Sequence, residues 1–140
     1  MSIVALVVWV ITAGFGSFMA RIWISHGGLP GKGSSHLPAV RVFSHLGLAV
    51  TGLIVWIIYV VTDIGVLAWI AFALLVLAAV LGGLLFRRWS VDGRAAMGGR
   101  GGPGADLAEQ HIGRVPVVLH GIFAVSTAVL VLLAAVGVGS

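Results

Sequence analysis

Hydrophobic and polar positions do not alternate along this chain; they separate into four long apolar stretches divided by segments rich in glycine and arginine. The stretches cover residues 3–20, 40–62, 65–86 and 115–138. A helix needs about 20 apolar residues to cross the hydrocarbon core of a bilayer, and each stretch approaches or exceeds that length. Only helices and closed barrels satisfy their backbone polar groups in lipid. Continuous rather than alternating apolar sequence selects the helix. The pattern therefore predicts an all-α integral membrane protein, a four-helix up-and-down transmembrane bundle forming one domain over residues 1–140. The first stretch reads as a retained span, because it lacks a charged leader and Arg21 follows it as a stop-transfer flank.

The connections differ in kind. Residues 63–64 form a minimal turn, so the second and third helices make an antiparallel hairpin. Residues 21–39 and 87–114 are longer loops, the latter holding the run Gly98, Gly99, Gly101, Gly102, Pro103 and Gly104, read as a low-complexity, mobile segment.

Composition fits this picture. Of the residues, 60% are hydrophobic and 9% charged, against about a quarter charged in soluble domains; the mean hydropathy is +1.18. No cysteine is present, which excludes disulfides, thiolate metal sites and iron–sulfur clusters. The sequence pI near 11.3 does not point to nucleic acid, because its sources are placed topologically. Arg21, Lys32, Arg41, Arg87, Arg88, Arg94, Arg100 and Arg114 all lie in or beside the two longer loops. The positive-inside rule then puts loops 21–39 and 87–114 in the cytoplasm and both termini outside, in a prokaryotic cytoplasmic membrane. Trp23 and Trp89 are expected in a cytoplasmic aromatic belt, with Trp9, Trp56, Tyr59 and Trp69 towards the opposite interface.

Polar groups within spans are costly and therefore informative. The second helix carries His45, four residues past Arg41; the fourth carries His120, six past Arg114. At 1.5 Å per residue these lie roughly 6 and 9 Å beyond their flanking arginines, a matched depth on helices running the same way. Such a pair meets the geometric demand of a bis-imidazole haem iron. Small residues share the face of each histidine: Ala49 and Gly52 on the second helix, Ala124 and Thr127 on the fourth. They would line a porphyrin, although small-residue packing between membrane helices uses the same types. Arg41 and Arg114 are the expected partners of the haem propionates. His36 and His111 each precede their deeper histidine by nine residues, with Pro38 and Pro116 between. They read as interfacial histidines, with a second metal or haem site as the other reading.

Three functions follow in order. The first is a membrane b-type cytochrome with one haem b. It would act in electron transfer or as the haem-bearing subunit of a larger respiratory or redox complex, with a quinone as a possible contact at the haem edge. The second is a haem-free accessory subunit of a membrane complex. The third, a divalent-metal site or transporter, lacks the intramembrane carboxylate that ion coupling usually needs. Catalysis by this chain alone is not expected, since no nucleophile, acid or base accompanies the histidines.

The segments "FSHLGLAVTGLIVWIIYV" around His45 and "VPVVLHGIFAVSTAVLVLL" around His120 resemble small four-helix membrane proteins of uncertain function common in actinobacteria. More loosely, one histidine on each of two helices is similar to four-helix membrane cytochromes b. That similarity implies a haem held by His45 and His120. Families with two stacked haems carry a second histidine pair near the opposite face. Here the first and third helices have none, which implies at most one haem deep in the membrane.

Overall fold

The computed structural model describes residues 1–98 and 107–138, with the side chains of residues 95–98 left aside. Among the described residues are four long helices, α1 (Ser2–Ser25), α2 (Ala39–Thr62), α3 (Gly65–Gly98) and α4 (Arg114–Ala135), with a 3-10 turn, Ala108–His111, before the last. All four are long and apolar enough to span a bilayer. The chain is thus an all-α, multi-pass membrane protein. Its outer surface is carpeted with exposed Ile, Val, Leu and Phe side chains suited to contact with lipid.

The helices pack as a square. α2 lies against α3, α3 against α4, α4 against α1 and α1 against α2, while α2 and α4 sit across one diagonal and α1 and α3 across the other. Between α2 and α3 the chain reverses through Asp63, which takes a left-handed conformation (φ 56°) and donates its N–H to the Tyr59 carbonyl. Aspartate tolerates that conformation better than most residues. At the other end, Pro38 precedes the first turn of α2 and Pro116 lies within that of α4. Neither lacks a helical hydrogen bond there, because first-turn N–H groups have no helical acceptor.

Two helices are longer than their apolar stretches. α1 continues past residue 20 to Ser25, and α3 runs past Phe86 through Arg87, Arg88 and Trp89 to Gly98. The loops predicted at 21–39 and 87–114 are correspondingly shorter. Polar flanks still propagate a helix once it is nucleated, because each added residue gains a hydrogen bond at little further ordering cost. The remaining glycine-rich stretch, with Arg100 and Asp106, lies outside the described residues.

The bundle has two cores. Near the termini, Ala5, Trp9, Trp56, Tyr59, Ala68, Ala71, Leu75, Val131 and Ala134 pack together. At the loop end, Trp23, Leu37, Ala108 and Ile112 form a smaller one. The tryptophans correct the aromatic-belt expectation. Trp9, Trp56 and Trp23 are buried inside the bundle, whereas Trp69 is exposed. Glycines make room for two of them: Gly52 on α2 sits under the Trp9 ring, and Gly28, in the turn after α1, under that of Trp23.

Burial also uncovers an internal repeat. On α1 the inward positions are Ala5, Trp9, Thr12 and Gly16; on α3, at identical spacing, they are Ala71, Leu75, Ala78 and Gly82. On α2 they are His45, Ala49, Gly52, Trp56 and Tyr59; on α4, again at identical spacing, His120, Ala124, Thr127, Val131 and Ala134. The two halves of the chain, α1–α2 and α3–α4, thus present matching inward positions at matching spacing.

Candidate functional site

His45 and His120 meet inside the bundle. Their ring centroids are 6.2 Å apart and the planes are inclined at 71°. Both rings are partly buried, and each is fixed by its neighbour in the square. The His45 Nδ1 lies 2.8 Å from the Ala78 carbonyl oxygen on α3. The His120 Nδ1 lies 3.0 Å from the Thr12 carbonyl oxygen on α1. Since a carbonyl oxygen only accepts, each Nδ1 carries the proton and donates it. In the neutral ring Nε2 then keeps its lone pair, the tautomer that a metal-binding imidazole needs.

Glycine gives both rings their position. A Cβ on Gly82 would stand 3.0 Å from Cε1 of His45, and one on Gly16 would stand 3.2 Å from Cε1 of His120. In each case the glycine lies one turn past the carbonyl that accepts the histidine proton: Thr12 then Gly16, Ala78 then Gly82. Each half thus supplies a histidine to the other half's carbonyl–glycine seat. The accepting bond, the glycine gap and the ring form one repeated unit.

The sequence-predicted residues divide around this centre. Ala49 and Ala124, one turn beyond the histidines, are half-buried. Gly52 and Thr127 lie deeper, in a layer that is already filled. The Trp9 ring closes over Gly52, and the Thr127 hydroxyl is 3.2 Å from that of Thr12. Thr12 and Thr127 also donate to the carbonyls of Val8 and Phe123 one turn back. A flat ligand between the histidines would therefore extend towards Ala49 and Ala124 and the loop end, and not past Gly52 and Thr127. Arg41 is half-buried in the first turn of α2, and Arg114 is the exposed first residue of α4.

Two neutral imidazoles on separate helices are a donor set that a haem iron accepts.

His36 and His111 part company. His36 lies against Asp92, with Nδ1 3.3 Å from Oδ2. His111 stacks on His26 with centroids 4.0 Å apart. Around them the two inter-helix connections are stitched together. The buried carboxylate of Glu109 accepts bonds from the Ser35 hydroxyl at 2.7 Å and the His36 N–H at 2.7 Å. The Ser35 hydroxyl accepts from the Trp23 indole at 2.9 Å, and the Trp89 indole donates to the Glu109 carbonyl at 3.0 Å.

Sequence reasoning missed Thr12, Gly16, Ala78 and Gly82 as the seats of the two histidines. A signal was there: Gly16, Arg21 and Trp23 repeat at the same spacing as Gly82, Arg87 and Trp89. It also missed the Glu109 network. No family model, curated protein or solved structure matches this chain.

Proposed function

We propose that the protein is a membrane b-type cytochrome, binding one haem b between His45 and His120 and serving as an electron carrier or as the haem-bearing subunit of a redox complex. One observation carries this reading: the imidazoles of α2 and α4 stand with centroids 6.2 Å apart inside the bundle, each with Nδ1 in hydrogen-bond reach of a backbone carbonyl. A carbonyl that holds the ring orients the ligand and raises its basicity. A haem held there would supply one-electron chemistry, and the protein would supply the axial nitrogens and a low-dielectric surround. Ala49 and Ala124, half-buried one turn past the histidines, would line the ring, and Arg41 and Arg114, on the ligand-bearing helices, would pair with the propionates. The loops with most arginines face the cytoplasm in this reading and both termini lie outside, in a prokaryotic cytoplasmic membrane. The electron partner would be a neighbouring subunit of a respiratory or redox complex, or a quinone.

A second reading has its own support. Trp9 fills the layer at Gly52, and both histidines already bridge neighbouring helices through hydrogen bonds. On that basis the protein is a haem-free accessory subunit in which His45 and His120 act as clamps. The test is the reduced-minus-oxidised visible spectrum of protein purified in mild detergent from haem-replete cells. The cytochrome gives sharp α and Soret bands; a flat difference spectrum leaves the accessory subunit.

A further inference from the structure

A second cluster stands at the loop end, independent of the haem reading. His36, Asp92 and Glu109 each offer one ligand atom, and these atoms all lie within 4.8 Å of one another. They come from three separate parts of the chain: the α1–α2 connection, the extension of α3, and the 3-10 turn before α4. Asp92 and Glu109 are buried, at 8% and 0% exposure. A buried carboxylate is costly unless its oxygens are satisfied.

Glu109 has partners on both oxygens, and each oxygen retains further acceptor capacity. Asp92 does not. Its Oδ2 is buried and forms no directed hydrogen bond. His36 Nδ1 at 3.3 Å and Arg88 Nε at 3.2 Å lie close enough for charge attraction but off hydrogen-bond alignment. Two ligand atoms held about 2.0–2.1 Å from a tetrahedral ion are about 3.3–3.4 Å apart. His36 Nδ1 and Asp92 Oδ2 already stand at that separation.

We propose that His36, Asp92 and Glu109 form a divalent transition-metal site of the zinc-binding type. One nitrogen and two carboxylate oxygens leave a fourth position for water or another ligand, a donor set that suits zinc and neighbouring ions better than calcium or magnesium. The ion gives the Asp92 oxygen the directed partner it lacks and ties together both connections at one end of the bundle. Arg88, whose side chain is 48% exposed, turns out to solvent as the ion enters.

The experiment is zinc titration of tag-free, full-length protein in detergent, read by calorimetry and by thermal melting. The wild type binds one equivalent and melts at higher temperature with zinc present. Asp92→Asn and His36→Gln weaken binding by more than about tenfold, while Arg88→Gln strengthens it by removing a competing cation. His45→Ala, which tests the haem reading, leaves zinc binding unchanged, so the two proposals fail separately. His111→Gln controls for the His26–His111 stack. The proposal is overturned if the wild type shows no saturable binding. It is equally overturned if binding survives in both Asp92→Asn and His36→Gln, or if only His111→Gln removes it.

Discussion

At the scale of single residues, the fold reserves space atom by atom around its two histidines. Gly82 and Gly16 each leave one Cβ volume for an imidazole edge, 3.0 and 3.2 Å from where that Cβ would stand. Alanine there requires a shift of a few tenths of an ångström, and a larger side chain evicts the ring. Gly82→Leu should cost about 1–3 kcal/mol through overpacking and should break the bond from His45 to Ala78. Melting in detergent and haem content should fall together; unchanged values in both would show that the ring does not use this seat. Glu109 presents the opposite case, a charged group with no exposure whose oxygens are engaged. Glu109→Ala strands the Ser35 hydroxyl and the His36 N–H, each costing about 1–3 kcal/mol if it stays buried. A clear drop in melting temperature is expected. Ser35→Ala, which strands the buried Trp23 indole N–H as well as one Glu109 oxygen, should give a comparable one.

At the scale of elements, the spans and the pairing of His45 with His120 were readable from the chain, because hydropathy fixes spans and helical rise fixes depth. What faced those histidines was not. Partners such as Ala78 and Thr12 contribute only backbone carbonyls, and a carbonyl has no sequence signature. Trp9 and Trp56 read as interfacial by residue type, yet both rings join the buried core, that of Trp9 over the space Gly52 leaves. Glu109 falls in the segment read as loop 87–114, and its burial depends on a contact between two distant connections. The nine-residue step shared by His36–His45 and His111–His120 was the visible trace of the internal repeat. Loops of unequal length hid the rest. The packing of α1 on α2 makes its own prediction. Gly52→Val places a branched side chain against Trp9, whose ring carbons are 3.1 Å from the Cβ position. It should destabilise the bundle by about 1–3 kcal/mol. Trp9→Ala in the same background should recover part of that loss, as a double-mutant cycle in thermal melting would reveal.

At the scale of the whole molecule, two halves with matching inward positions enclose a site that neither half completes alone. Each half brings a histidine, and each seats the histidine of the other. The charge distribution gives this arrangement a direction. With no native cysteine, single cysteines report topology cleanly. Lys32→Cys should react with an impermeant maleimide only after the membrane is opened, and Ser2→Cys should react in intact cells; the reverse pattern would invert the orientation. The central claim is the His45 and His120 pair of imidazoles as axial ligands. Its most direct test is the spin state and stoichiometry of ferric haem in the wild type beside the single variants His45→Ala and His120→Ala. The wild type should hold one haem per chain in a six-coordinate, low-spin state, and either variant should lose the haem or leave it high-spin. A wild type that binds no haem, or variants that keep the low-spin spectrum, would contradict it.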